Sequence, residues 1–202
     1  MTRRTEWPEQ APAPQNGGAA SSSRAEGAAP SEPRDPVERA RAICLRLLTG
    51  APRTRSQLAD ALHRRGIPEE AAEEALARFE EVGLIDDASF ADAWVESRHH
   101  SRGLARRALA RELRTRGVDS SVIDGALGRL DADQEAETAR ALVERKLRTT
   151  RGLALEKRIR RLAGMLARKG YAEGLALRVV RQALAEEGEE SEAAWEEHLP
   201  DV

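Results

Sequence analysis

A spaced set of residues that occurs three times constrains this chain more than any other feature. Leu58, Leu62, Gly66, Ile67 and Leu76 recur as Leu109, Leu113, Gly117, Val118 and Leu127, and again as Leu162, Leu166, Gly170, Tyr171 and Val180, at intervals of 4, 4, 1 and 9. The copies are offset by 51 and then 53 residues. Two leucines four apart share one face of a helix, and a glycine four residues on supplies the left-handed residue that ends it. Such a period marks a supersecondary unit, and a three-helix unit has so small a core that neighbours are expected to abut. The expected fold is all-α: three tandem three-helix repeats forming an elongated body. Repeat 1 spans 37–87, repeat 2 spans 88–131 and repeat 3 spans 132–187, between a disordered tail at 1–36 and an acidic tail at 188–202.

Composition agrees. Aromatics make up 3% of the chain against 40% hydrophobic residues, so cores must be built from Leu, Ala, Val and Ile, which suits closely packed helices better than a sandwich or barrel. Residues 1–36 are rich in Pro, Ala, Ser and Gly without any period, and Trp7 is the only large apolar side chain there. From Val37 a stripe of Val37, Ala40, Ile43, Cys44, Leu47 and Leu48 predicts a helix, and Thr54 with Gln57 has the spacing of a capping box. Pro68 opens a third helix, with Ala72, Ala75, Leu76, Phe79 and Val82 facing inward. In repeat 3, Ala139, Leu142, Val143 and Leu147 form the first stripe, Leu155, Ile159, Leu162 and Leu166 the second, and Tyr171, Leu175, Val179 and Ala183 the third.

The stretch from Leu84 to Val118 is the most specific. Phe90, Ala93, Trp94 and Ser97 form one apolar stripe, Gly103 breaks the helix, and Leu109 and Leu113 share a face of the next. The run Leu84, Ile85, Asp86, Asp87, Phe90, Ala91, Trp94, Val95 and Arg98, continued by Arg102, Gly103, Leu109, Glu112, Leu113, Arg116, Gly117 and Val118, resembles the signature of the RecX family, bacterial regulators that bind RecA. The resemblance extends more weakly over about residues 37–187. It implies a helical, non-enzymatic modulator that docks on RecA or the RecA–DNA filament and inhibits it, with a place in recombination, DNA repair and the SOS response.

Charge shows where docking would occur. The formal net charge is −2, but acids and bases are segregated. Residues 98–117 hold seven arginines against Glu112, residues 145–169 hold ten Lys or Arg against Glu156, and Glu186 to the end holds eight acids without a Lys or Arg. The candidate partner- or DNA-binding residues are Arg98, Arg102, Arg106, Arg107, Arg111, Arg114 and Arg116 in repeat 2, with Lys146, Arg148, Arg151, Lys157, Arg158, Arg160 and Arg161 in repeat 3. The competing account is an ordinary solvated face. An independent helical DNA-binding module is the alternative function, since three-helix units resemble helix-turn-helix scaffolds.

Other chemistry finds no support. A phosphate-cradling glycine loop followed by Gly-Lys is missing, and His63, His99, His100 and His198 are not spaced as metal ligands. The acids sit at helical pairing distances, as solvated carboxylates do. Cys44 is the sole cysteine and reads as a small core residue. With neither a bilayer-length apolar run nor the apolar core of a signal peptide, the expectation is a cytoplasmic monomer without cofactor or metal.

Overall fold

The computed structural model describes residues 35–196, and the expectations for Trp7, His198 and most of both tails lie outside them. Within the described residues the chain is helical, in three successive groups of three. The first group is α1 (Pro36–Gly50), α2 (Arg55–His63) and α3 (Glu69–Glu81). The second is α4 (Asp87–Arg102), α5 (Arg106–Thr115) and α6 (Ser120–Gly128). The third is α7 (Ala132–Leu147), α8 (Leu155–Arg168) and α9 (Glu173–Glu196), with a 3-10 turn at Arg148–Thr150 after α7.

The repeated spacing has a direct structural cause. Gly66, Gly117 and Gly170 adopt φ of 69°, 73° and 91° just beyond α2, α5 and α8. The amide of the next residue then donates back to the second leucine of each repeat: Ile67 to Leu62, Val118 to Leu113 and Tyr171 to Leu166, each at 3.2 Å. These helix ends satisfy carbonyls that the helix leaves over, and they fold the apolar residue after the glycine onto the leucine before it. All twelve apolar positions of the pattern are buried, none more than 9% exposed.

The chain divides into two compact units after Asp86. In the first, α3 packs on α1 and α2 around Cys44, Leu58, Leu62 and Leu76. Burial pushes the Cys44 thiol pKa up, in keeping with a core residue. The capping box forms as read: Thr54 Oγ1 accepts from the Gln57 amide at 3.2 Å, and Gln57 Oε1 accepts from the Thr54 amide at 3.3 Å. The second unit contains the second and third groups of helices.

Several side chains depart from the expected stripes. Ala93 is exposed, and α4 instead buries Phe90, Ala91, Trp94, Val95 and His99, because the large rings fix which face turns inward. Val82 caps the end of α3 and is 49% exposed, and Leu155 is 60% exposed at the first residue of α8. Both lie at helix ends, where the periodic face runs out. Helix α1 begins at Pro36 with Asp35 as its N-cap, the Asp35 carboxylate accepting from the Val37 amide at 3.0 Å, so the first helix starts slightly before Val37. Helix α9 runs on to Glu196, well past Glu187, since its Glu- and Ala-rich end keeps high helix propensity after its apolar period stops.

Candidate partner-binding surface

Tertiary packing, rather than local sequence, gives five of the fourteen basic candidates partners inside the fold. Trp94 accounts for two of the five. Its indole N–H donates to Glu112 Oε2 at 2.9 Å, its ring stacks on Phe90 with centroids 5.8 Å apart, and it is 4% exposed. The guanidiniums of Arg116 and Arg98 lie over the indole, 3.7 and 4.2 Å from its centroid. Arg98 Nε also lies 3.9 Å from Glu112 Oε2. Burial pulls the Arg116 pKa below its usual value, with Glu112 opposing and Arg98 adding to the fall, yet a guanidinium stays charged throughout the physiological range. These two arginines stabilise the middle repeat through cation–π contact worth about 0.5–2 kcal/mol each.

Three more are held by acids. Arg106 pairs with Glu135 on α7, Nε to Oε2 at 3.2 Å, and also donates to the Leu130 carbonyl. Glu135 Oε1 accepts from the Arg106 backbone amide at 3.2 Å, so a carboxylate of the third repeat caps the start of α5, which has no side-chain cap from its own Ala105. Arg151 donates to Glu187 Oε1 at 2.7 Å, and Arg158 donates to Glu187 Oε2. Burial acts to raise the Glu187 pKa, but the hydrogen bonds and charges of Arg158 and Arg151 outweigh it and hold the carboxyl below its ordinary value. Glu112, Glu135 and Glu187 thus depart from the expectation of solvated acids.

Arg102, Arg107, Arg111, Arg114, Lys146, Arg148, Lys157, Arg160 and Arg161 are exposed. Arg107 and Arg111, one turn apart on α5, and Arg160 on α8 line one open cleft of about 560 Å³. Its floor is made of small residues, Ala108, Ala163, Gly164 and Ala167, with Tyr171 and the first turns of α9 at one end. The Glu173 carboxylate also lines it. Small side chains let a partner backbone come close, while long arginines at the rim can reach acidic groups or phosphates.

The cleft exists because the second and third repeats are closely joined. The turn between α4 and α5 packs into the third repeat: the Ala105 amide donates to the Lys169 carbonyl at 2.9 Å, and Ala105 belongs to the third repeat's core. Tyr171 donates its hydroxyl to the Gly103 carbonyl at 3.2 Å, and burial, with the nearby Glu135 charge, pushes the Tyr171 pKa up. His99, buried on α4, places Nδ1 2.9 Å from the Leu104 carbonyl and Nε2 2.9 Å from Thr138 Oγ1 on α7. It is a seam residue, and no group of metal-ligating side chains occurs among the described residues. Spacing along the chain gave no hint of His99, Glu135 or Glu187 as bridging residues, since each has a partner 29 to 39 residues away. Tyr171 was legible as a repeat position but not as a bridge to Gly103. No helix of the described residues is long and apolar enough to cross a membrane.

Comparison with known proteins gives a consistent result. Three family models match the chain in order: RecX, first three-helix domain, over residues 40–79; RecX, second three-helix domain, over 86–127; and RecX, third three-helix domain, over 133–180. The regulatory protein RecX of Streptomyces lividans is 73% identical over 186 residues, covering 92% of this chain and 98% of its own length. That of Streptomyces coelicolor is 72% identical over 186 residues with the same coverage. The crystal structure of RecX from Lactobacillus salivarius is similar in fold, with a TM-score of 0.70 over 73% of this chain and 96% of that one, at 18% identity.

Proposed function

The chain belongs to the RecX family of regulatory proteins, and from that membership we propose that it binds RecA or the RecA–DNA filament and inhibits RecA activity. In this role it acts in the cytoplasm, without catalysis of its own, on recombination, DNA repair and the SOS response. The observation that carries the reading is the cleft between α5 and α8, where Arg107, Arg111 and Arg160 converge from two repeats over a floor of small residues. Arg114, Lys157 and Arg161, exposed on the same two helices, extend the positive surface. The shared cleft supports reading these arginines as a docking surface for acidic protein groups and DNA phosphates, since residues from two repeats, about 50 positions apart, line it together.

The test reverses only residues whose side chains have no structural duty described above. Arg106 and Arg158 are poor choices because their loss would break the pairs with Glu135 and Glu187. Arg107→Glu with Arg111→Glu, and separately Arg160→Glu with Arg161→Glu, should each raise the concentration needed to suppress RecA ATPase and strand exchange by at least tenfold, with helicity unchanged. Wild-type suppression by both folded variants would reduce these arginines to a solvated face. Binding to bare and RecA-coated single-stranded DNA separates the regulator from an independent DNA-binding module: preference for coated DNA supports the first, equal or tighter binding to bare DNA the second.

A further inference from the structure

The turn that leads into the second helix of a repeat occurs twice with the same sequence and different surroundings. Arg102, Gly103, Leu104 and Ala105 precede α5, and Arg151, Gly152, Leu153 and Ala154 precede α8. In the middle repeat this turn is a plug seated in the next repeat. Ala105 is fully buried in the third repeat's core, and a Cβ on Gly103 would lie 2.9 Å from the Leu142 side chain of α7. Four backbone groups of the plug find partners there. The Arg102 carbonyl accepts from Lys169 Nζ and the Gly103 carbonyl from the Tyr171 hydroxyl, while the Ala105 amide donates to the Lys169 carbonyl and the Arg106 amide to Glu135. In the third repeat the same turn is uncovered. Gly152 and Ala154 are exposed, Leu153 is 38% and Leu155 60% exposed, and a Cβ on Gly152 would enter open space. The corresponding backbone groups, the carbonyls of Arg151 and Gly152 and the amides of Ala154 and Leu155, have no hydrogen-bond partner among the described residues. Two exposed leucines beside four such groups are the features that the middle repeat buries against its neighbour.

The plug of the middle repeat is received by a helix end, Lys169, Gly170 and Tyr171, whose counterpart in repeat 1 is Arg65, Gly66 and Ile67. Arg65 and Gly66 are exposed, a Cβ on Gly66 would meet nothing, and the Arg65 carbonyl has no partner among the described residues. The middle repeat offers a poorer counterpart, because Arg116 is folded over Trp94. Charge favours the same pairing. Residues 68–87 hold eight acids against Arg78, with Glu69 and Glu70 exposed just beyond Ile67, whereas exposed Lys146, Arg148 and Lys157 flank the uncovered turn against Glu156. In the joined repeats Glu173 shares a cleft with Arg107 and Arg111 of the docked helix, and Glu69 is its counterpart. We propose that the Arg151–Leu155 turn of one copy docks on the Arg65–Ile67 helix end of repeat 1 in a second copy, extending between chains the junction that joins repeats 2 and 3 within one. Repeat 1 lacks two of the four partners, Ile67 replacing Tyr171 and Pro36 standing at the Glu135 position, so this contact is weaker than the seam inside the chain. The two surfaces differ, so the contact is heterologous and, where it does not close on itself, adds copies head to tail. The monomer expected from sequence is then the dilute state.

Sedimentation velocity of the full chain across a wide range of concentration reads the association. Leu153→Asp with Leu155→Asp blocks the turn, and Glu69→Lys with Glu70→Lys blocks the helix end. Glu69→Gln with Glu70→Gln is the milder pair should the reversal unfold, and circular dichroism establishes the fold of each variant. The sedimentation coefficient of the wild type should rise with concentration, and each variant alone should lose at least tenfold in association constant. Mixed in equal amounts, the two variants supply one intact turn and one intact helix end, and they should form a heterodimer that grows no further. A wild type that stays monomeric overturns the proposal. So does association unaltered by either pair of substitutions, or a mixture that fails to dimerise. Fluorescence anisotropy of a labelled single-stranded oligonucleotide examines the other occupant: a leucine variant that loses oligonucleotide affinity while still self-associating assigns the turn to nucleic acid and overturns the proposal as well.

Discussion

Trp94 combines roles that composition could not reveal. It is a core ring against Phe90, a donor to Glu112 and the platform for two guanidiniums. Trp94→Ala should cost about 3–5 kcal/mol in the second unit, read from denaturant unfolding of a chain with its other tryptophans intact. An unchanged midpoint would contradict the burial described. Gly170 has a second constraint that Gly66 and Gly117 lack. At all three, positive φ penalises alanine by about 1–2 kcal/mol. A Cβ at Gly66 or Gly117 would enter open space, whereas one at Gly170 would overlap the Ala108 backbone nitrogen and sit 2.7 Å from its Cβ. Gly170→Ala should therefore lower stability by at least twice as much as Gly117→Ala in parallel melts. The sequence shows that a glycine belongs at each site, because the helix end demands it; it cannot show that one glycine also faces another repeat.

At the scale of the element, local signals were reliable wherever the cause was local. The capping box at Thr54 and the glycine helix ends depend on residues at most five apart, and each appears as read. Ties supplied from a distance were invisible: α5 borrows Glu135, and Arg151 of the α7–α8 connection and Arg158 of α8 are both tied to Glu187 on α9. The same reason divides the basic candidates. Arg98, Arg106, Arg116, Arg151 and Arg158 look identical in sequence to their exposed neighbours, and only packing assigns them partners. Glu187→Gln should destabilise the second unit by about 1–3 kcal/mol at neutral pH, the usual range for a charge-assisted, largely buried bond. Because its folded pKa is depressed, the carboxylate's contribution is present above the unfolded value and is lost as pH falls through the folded one. The stability gap between wild type and variant should accordingly shrink on acidification, and a gap independent of pH between 7 and 3 would argue against the ion pair. Removal of Asp35 in a chain shortened to Val37 should cost about 1 kcal/mol relative to one starting at Asp35, as loss of an N-cap does.

For the molecule as a whole, the threefold period identified the repeats but not that the third draws a core residue from the second. The core around Cys44 and Leu76 is drawn from residues 40–85, while the third repeat's core includes Ala105 from the middle one. Residues 87–196 alone should melt cooperatively with full helicity by circular dichroism, whereas residues 87–131 alone should lose much of both, since the cut removes Glu135, Thr138, Lys169 and Tyr171 from their partners. A stable, cooperative 87–131 fragment would overturn that expectation. The Gly103–Tyr171 hydrogen bond also gives the seam an order in time. Its two ends are 68 residues apart, and at a synthesis rate of about 5–20 residues per second the Gly103 carbonyl emerges from the ribosome roughly 3–14 seconds before its partner hydroxyl. Through that interval the turn between α4 and α5 must be satisfied by water. The middle repeat of the nascent chain is therefore completed late, by a segment that has not yet been translated when its own helices are already free to form.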